Sequence, residues 1–325
     1  MTILQFRRKT DKVKKNPYRQ MTLALPIETD RQNLLAGLRH SSLVRDDSGK
    51  HRVYRDEEER EYHSVTSILK HTAPVEQKAA LMKWAKRPGN LEQRDMACSI
   101  GTAVHSYCEK ILKRASILAI NSANKRNGWK TYEDGLARPS QAITTWALQN
   151  AIHGKNKVEE QWACSEYTRN IQPFLEDIKA IHLSEFNVNH SSGYAGQCDA
   201  LIDTENPDGH SELTIVDFKT YGKDTDKPEK YLQDHLLQIG AYNEGLYEKT
   251  GVRAKRGLIC IIRKNGLQLR WVTAMELIGC GALFKEKVAE FQDMEKLSLL
   301  NQLTLTKYQR KGIEAGRSIT SLLFK

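Results

Sequence analysis

The spacing of apolar residues divides the chain into a mainly helical first half and a second half in which strands predominate. Apolar positions three and four residues apart predict helices over 75–120, 140–153 and 156–181. Pro88-Gly89 interrupts the first helical stretch, and Gly101-Thr102 is predicted to begin a new helix.

From about residue 185, apolar and polar positions alternate with a period of two, which is typical of strands. The predicted strands cover 185–189, 194–203, 213–220, 256–263 and 267–272. Asn206-Pro-Asp-Gly209 and Asn265-Gly266 have the composition of turns and are predicted to join two pairs of them. Amphipathic helices are predicted over 229–249, ended by Gly251, and over 275–298.

Composition excludes several classes of protein. No apolar run approaches the roughly 20 residues of a membrane span, and the N-terminus lacks the apolar segment of a secretory signal. The six cysteines form no Cys-x-x-Cys pair, so each is expected to be a small buried residue in a reduced compartment. A bacterial or phage-infected cytoplasm is the expected localisation, and the basic N-terminus leaves the mitochondrion as an alternative.

The net charge of +10 is distributed unevenly. Residues 1–19 hold seven Lys and Arg against one acidic residue, and 299–325 hold five against one. Between these ends, 66–165 carries seven excess positive charges and 166–250 carries nine excess negative charges. This order predicts a surface for a polyanion beside a carboxylate-rich site, although solvated faces of alternating sign would give the same totals.

The predicted strands at 194–203 and 213–220 carry the candidate chemistry. Asp217 and Lys219 are two residues apart and share one face, and Val216 and Phe218 share the other. On the preceding strand, Cys198, Ala200 and Ile202 are predicted on one side and Asp199 on the opposite side. If the strands pair through their turn, Asp199 and Asp217 converge beside Lys219. Two carboxylates and an ammonium at the end of apolar strands are costly to desolvate, and a divalent cation would pair them.

Two pairs of residues on predicted helices could extend this site. His105 and Glu109 are one helical turn apart, as are Gln238 and Tyr242, so each pair lies on one helix face. Taken singly, a histidine such as His105 is more often structural, and the second pair fits an ordinary amphipathic helix.

The order of these motifs resembles that of RecB-type nucleases of the PD-(D/E)xK superfamily, in particular the mitochondrial genome maintenance exonucleases and related phage exonucleases. The resemblance covers roughly 50–275. The motifs that carry it are Tyr62-His-Ser-Val-Thr-Ser-Ile-Leu69, Gly101-Thr-Ala-Val-His105, Gly193-Tyr-Ala-Gly-Gln-Cys-Asp199, Asp217-Phe-Lys219 and the Gln238-x-x-x-Tyr242 helix.

The resemblance implies an α/β fold of the restriction-endonuclease type: a central mixed sheet flanked by helices, with an added helical arch. It also implies a division into a basic N-terminal arm and lead-in (1–50), a nuclease domain (51–298) and a basic C-terminal tail (299–325). Within the domain, 66–165 would be the basic helical part, and 185–275 the catalytic sheet and the Gln238 helix. Residues 1–20 are expected to be a disordered arm.

The resemblance further implies that His105, Asp199, Asp217 and the Phe218 carbonyl hold Mg²⁺ or Mn²⁺, as one ion or two. Lys219 would position or activate the attacking water, and Gln238 would orient Lys219 or a phosphate. Tyr242 would support its helix face and contact the nucleic-acid backbone.

Two further carboxylates have open roles. Glu109 is expected either to order the His105 ring or to be solvated, and Glu185 either to be structural or to support the ligands. Only Cys260 and Cys280 follow the Gln238 helix, so no iron–sulfur cluster is expected, and no nucleotide-binding G-x-x-x-x-G-K-[ST] motif is present.

The implied activity is a metal-dependent DNA exonuclease that threads single-stranded DNA, with recombination or replication proteins of phage or host as partners. A non-catalytic DNA-binding module and a double-strand-specific exonuclease or endonuclease are the alternatives. Trp84, Tyr107 and Trp129 could stack on bases. At the start of a predicted helix, Ser64 and Thr66 could bind a phosphate or simply cap the helix. Predicted phosphate contacts from basic residues are Lys83, Lys86, Arg87, Arg94, Lys110, Lys113 and Arg114.

Overall fold

The computed structural model describes residues 38, 42–49, 51–126, 139–159, 161 and 164–323, with the backbone alone described at 124, 126 and 302–323. The predicted arm at 1–20 and Trp129 lie outside the described residues. The strands are β1 (Val44–Asp46), β2 (Val53–Arg55), β3 (Glu61–Ser64), β4 (Ala180–His190), β5 (Tyr194–Glu205), β6 (Ser211–Tyr221), β7 (Arg256–Arg263) and β8 (Gly266–Thr273). The helices are α1 (Val65–His71), α2 (Val75–Ala85), α3 (Asn90–Arg126), α4 (Gln141–Ile152), α5 (Ser165–Glu176), α6 (Gln233–Thr250) and α7 (Ala274–Leu323).

These eight strands form one mixed sheet in the order β1-β2-β3-β5-β6-β7-β8, and β4 pairs with β5. The two predicted hairpins, β5–β6 and β7–β8, are confirmed as antiparallel pairs. Parallel pairing of β6 with β7 places α6 in the crossover between them. The expected mixed α/β sheet flanked by helices is therefore confirmed.

Two apolar clusters cover the two faces of the sheet. On one face, α1, α6 and α7 pack on apolar side chains that include Ile215 and Ile259. On the opposite face, α3, α4 and α5 pack on a second set that includes Val216 and Phe218. Successive residues of β6 thus enter opposite clusters, as the period of two predicts.

Several predicted helix boundaries are wrong. α3 runs unbroken through Gly101, where an added Cβ would lie 3.3 Å from Thr220 Oγ1. The absence of a side chain therefore lets this helix pass close to β6. α5 runs from Ser165 to Glu176 and not over 156–181, because β4 begins at Ala180. α6 begins at Gln233 and not at 229, and α7 continues past 298 to Leu323. By contrast, Gly251 ends α6 in the left-handed conformation (φ 67°), as predicted.

Cys108, Cys164, Cys198 and Cys260 are buried, as expected for small apolar residues, whereas Cys98 is exposed. Among the described residues, no helix combines the length and the apolar character of a membrane span.

Candidate active site

Two strands, β3 and β6, pair with different parts of the same edge of β5 and leave a gap between them. β3 pairs with β5 at Tyr194 and Ala195, and β6 pairs with it from Ala200 onward. β4 follows the other edge along its length. Positions 196–199 therefore face the gap between β3 and β6. Asp199 lies at the inner end of this gap, opposite Asp217 at the end of the β5–β6 ladder.

Side-chain alternation breaks at this point. Phe186 pairs with Cys198, and Leu183 pairs with Leu201. All four enter the same apolar cluster, although the two on each strand are three positions apart and strict alternation would place them on opposite faces. Between the pairs lies Glu185, whose φ of 50° is left-handed. A non-glycine residue rarely adopts this conformation. Ala200 and Ile202 enter the opposite cluster from Cys198. The prediction that Cys198 shares a face with them is therefore wrong.

His105 reaches Asp199 from α3. Its Nδ1 lies 3.3 Å from Asp199 Oδ1, and the other carboxylate oxygen accepts the backbone N–H of Phe218 at 2.6 Å. Burial alone would lower the pKa of His105, but Asp199 outweighs it and raises this pKa above its ordinary value. Burial would raise the pKa of Asp199, but His105, Lys219 and the Phe218 N–H together lower it. The sequence-predicted convergence of His105 and Asp199 is thus present.

Asp217 is almost completely buried and has one unsatisfied oxygen. Its Oδ1 accepts a hydrogen bond from Lys219 Nζ at 2.6 Å, but Oδ2 is buried with no hydrogen-bond partner among the described residues. Burial raises the pKa of Asp217, Asp199 adds to the effect, and Lys219 only partly offsets it. Burial would lower the pKa of Lys219, but Asp217 and Asp199 raise it, so the ammonium stays protonated. The orphaned oxygen is the kind of atom that a cation satisfies.

Glu185 lies beside two of the candidate ligands, His105 and Asp199. One ligand atom each from His105, Glu185 and Asp199 lies within 4.8 Å of the other two, a spacing that suits one metal ion. Burial raises the pKa of Glu185 to about 7, with a further contribution from Asp199. The sequence contained a clue to this placement, because Glu185 is the one acid on the strand that precedes Asp199.

Gln238 and Tyr242 are joined, as their spacing on α6 predicts. The Gln238 amide donates a hydrogen bond to the Tyr242 hydroxyl at 2.8 Å, and the Gln238 side chain also bonds to His235. Tyr242 is only 3% exposed, so its predicted contact with nucleic acid is wrong in this structure, whereas its support of the helix face agrees with it. A Cβ at Gly196 would lie 2.5 Å from the Tyr242 ring, which explains glycine on the strand beside it. The pattern analysis did not identify His235, although it precedes Gln238 by three residues on the same helix face.

Other predicted site residues have local partners. Glu109 pairs with Lys113 at 2.5 Å, whereas the contact of His105 is with Asp199. The buried Ser64 hydroxyl accepts the Ser67 N–H at 3.0 Å and caps α1, which favours capping over phosphate binding, whereas Thr66 is exposed. Tyr107 is buried and accepts a hydrogen bond from Gln172, so its predicted stacking on bases is wrong.

The basic residues of α2, of the turn that follows it and of α3 are exposed, and two of them form ion pairs, Arg94 with Asp95 and Lys113 with Glu109. No residue of α2 is buried, and positions 91–99 of α3 are all exposed, so this helical pair projects from the core. Trp84 is half-buried. The exposed basic side chains are Lys83, Lys86, Arg87, Arg94, Lys110, Lys113 and Arg114.

The family model of the PD-(D/E)XK nuclease superfamily matches residues 76–316, which include all of these candidate residues except Ser64 and Thr66. The chain belongs to this superfamily. The nuclease is also 26% identical over 216 residues to mitochondrial genome maintenance exonuclease 1 of Xenopus tropicalis, a match that covers 62% of the nuclease and 49% of the relative. The chain therefore spans about half the length of this curated relative.

A solved structure, the crystal structure of SSO0001, matches 33% of the nuclease and 49% of that chain at 16% identity. The TM-score of this match is 0.22.

The donors of the site fit a divalent metal ion, which nucleases of this superfamily generally use. Carboxylate oxygens and one imidazole nitrogen suit Mg²⁺ and Mn²⁺, and the buried Asp217 Oδ2 lacks any other partner among the described residues. Asp199 and Asp217 have pKa values shifted in opposite directions, as is common where neighbouring carboxylates serve a reaction.

Proposed function

We propose that the nuclease is a metal-dependent DNA exonuclease that hydrolyses phosphodiester bonds at DNA ends. The observation that carries the metal-dependent part is the buried Asp217 carboxylate, whose Oδ2 has no hydrogen-bond partner among the described residues and which faces Asp199 across the open edge of β5. Mg²⁺ or Mn²⁺ would be held by His105, Asp199, Asp217 and the Phe218 carbonyl. A bound divalent ion lowers the pKa of a coordinated water and neutralises charge on the phosphate.

Lys219 acts as a hydrogen-bond donor in this proposal. Its pKa is raised by Asp217 and Asp199, so the side chain remains an ammonium near neutral pH and cannot accept a proton. It would orient the attacking water or a phosphate oxygen while Asp217 holds the amine in place at 2.6 Å. The role is therefore positioning of the water and electrostatic stabilisation of the transition state.

The substrate surface is proposed on the helical pair of α2 and α3. Its basic side chains are exposed, and α3 continues from this region directly to His105. A strand that follows the cationic surface would thus be led to the carboxylates. The preference for DNA ends draws support from the similarity to an exonuclease, and the preference for single strands from the half-buried Trp84 near the basic residues.

The test compares linear and circular DNA. End-labelled single- and double-stranded oligonucleotides and a covalently closed single-stranded circle are incubated with the protein and Mg²⁺ or Mn²⁺. We expect loss of mononucleotides or short fragments from linear DNA and an intact circle. Asp217→Ala should abolish cleavage, and Asp208→Asn, in the exposed β5–β6 turn, should retain it. Cleavage of the circle would replace the exonuclease by an endonuclease, and DNA binding without cleavage by the wild type would leave a non-catalytic module.

A further inference from the structure

Lys227 is a half-buried cation that no carboxylate neutralises directly. Its ammonium lies 2.8 Å from His235 Nε2, and it forms no ion pair with an acidic residue among the described residues. An ammonium only donates hydrogen bonds, so the Nε2 atom must be the acceptor. His235 is therefore neutral in this contact. The positive charge of Lys227 is compensated only by the Tyr221 ring, whose centroid lies 5.8 Å from Nζ, and by the more distant carboxylates of Asp217 and Asp234.

The His235 ring is held in this acceptor state by its surroundings. Its remaining N–H bonds to the Gln238 side chain, whose amide in turn donates to the Tyr242 hydroxyl. Burial lowers the pKa of His235 to about 3, and Lys219 and Lys227 contribute to the shift. Hydrogen bonds thus connect Lys227, through His235, to the Gln238-x-x-x-Tyr242 motif of the candidate site.

The backbone of Lys227 is fixed as firmly as its side chain. Its N–H donates to Gln268 Oε1 at 2.7 Å, and Gln268 Nε2 donates back to its carbonyl at 3.1 Å. Asn265 also donates to Asp224 at 2.8 Å, which ties the same loop to the β7–β8 hairpin. The ammonium is therefore positioned in advance and loses little side-chain entropy when it binds an anion.

The position of Lys227 points to the substrate. Lys219 and Asp217 are close enough to Lys227 to shift the pKa of its ammonium. Burial and Lys219 lower this pKa, and Asp217 only partly opposes them. A desolvated cation beside the catalytic residues gains a counter-charge when an anion binds. We propose that Lys227, positioned by His235, binds the DNA backbone phosphate adjacent to the one that is cleaved. This inference rests on the proposed function and adds a substrate-binding residue to it.

The first experiment measures DNA binding in EDTA, where metal-dependent cleavage is stopped, at a series of salt concentrations. Lys227→Met keeps the length of the side chain and removes the charge, and Lys223→Met is the matched control on the exposed part of the same loop. We expect Lys227→Met to weaken binding of single-stranded DNA roughly tenfold. It should also reduce the slope of log K against log salt by about 0.7 relative to the control. Lys227→Arg should recover most of the affinity.

The second experiment locates the phosphate. Neutral methylphosphonate linkages are placed one at a time around the cleaved bond. The wild type should lose affinity at one linkage next to that bond by the same factor as Lys227→Met, and Lys227→Met should lose nothing further there. If Lys227→Met and Lys223→Met bind alike, or if no linkage shows this pattern while the wild type cleaves DNA, the phosphate site is refuted and the proposed function stands. Failure of the wild type to bind or cleave DNA would refute both.

Discussion

The backbone N–H of Phe218 donates a hydrogen bond to Asp199 Oδ2 at 2.6 Å, so the carboxylate of one strand is anchored to the backbone of the next. The contact occupies the position where the β5–β6 ladder would otherwise continue. It leaves Asp199 Oδ1 for His105 and holds the backbone of Asp217 and Phe218 against Asp199. A single hydrogen bond therefore sets the relative positions of three proposed ligands.

Asp199→Asn should lower the pKa of His105 in the metal-free protein. The Asp199 carboxylate raises that pKa against the effect of burial, so a neutral amide leaves burial as the main influence. The fold should persist because the amide oxygen can still accept the Phe218 N–H. NMR titration of the His105 ring in EDTA checks the shift, and His210, exposed after the β5–β6 turn, serves as the internal control. An unchanged pKa of His105 would mean that Asp199 is not its electrostatic partner.

Mn²⁺ should stabilise the wild-type protein through Asp217. The ion would satisfy the buried Oδ2 atom, and a ligand at 100 times its Kd stabilises a protein by about 2.7 kcal/mol. Thermal unfolding should therefore shift upward by several degrees with Mn²⁺, and calorimetry should detect binding. Asp217→Asn should lose most of both effects, whereas Asp208→Asn should keep them. Equal Mn²⁺ stabilisation of all three proteins would place the metal elsewhere.

Glu185→Gln should stabilise the metal-free protein at alkaline pH. Burial and Asp199 raise the folded-state pKa of Glu185 to about 7 from 4.5, so ionisation is costly in the folded state. The cost is absent below pH 4.5, grows as the pH rises, and is complete above about 7. Because the side chain is partly solvated, we expect a gain of about 1–2 kcal/mol at pH 8 and none at pH 4.5.

Denaturant unfolding in EDTA at the two pH values measures the difference between Glu185→Gln and wild type. The same variant should bind Mn²⁺ more weakly if Glu185 is among the ligands. Equal stability of the two proteins at pH 8 would show that ionised Glu185 does not destabilise the folded state.

Local signals made the β5–β6 hairpin, which carries the proposed catalytic residues, predictable. Asn206 and Gly209 define a turn by their own conformational preferences, and the alternation of residues 213–220 placed Asp217 and Lys219 on one face. The face of Cys198 was not predictable, because the break in alternation originates at Glu185 on the neighbouring strand. The place of Gly101 in the middle of α3 is likewise explained by a distant contact, the approach of this helix to Thr220, which helical spacing does not encode. Burial of Tyr242 and Tyr107 was also set by tertiary packing that helical spacing does not encode.

Gly196→Ala should destabilise the protein and impair cleavage together. The new methyl group would lie 2.5 Å from the Tyr242 ring, and relief requires movement of β5 or α6. Overpacking of this kind costs about 1–3 kcal/mol. Gly279→Ala in α7, where nothing lies within 4 Å of the added atom, should be neutral or stabilising. Denaturant unfolding and initial cleavage rates measure both effects, and a fully active, fully stable Gly196→Ala protein would contradict the proposed packing.

Deletion of residues 1–19 should weaken DNA binding more than it slows the cleavage of bound DNA. The segment contributes seven basic residues against one acidic residue, and it precedes all the motifs of the site. Non-specific attraction to phosphates depends steeply on salt, so the loss of affinity should be largest at low ionic strength and shrink as salt is added. Binding titrations at several salt concentrations, with turnover measured at saturating DNA, separate the two quantities. An equal loss of turnover at saturating DNA would mean that the segment contributes to the active site. An unchanged affinity at low salt would mean that the basic residues of the segment do not contribute to DNA binding.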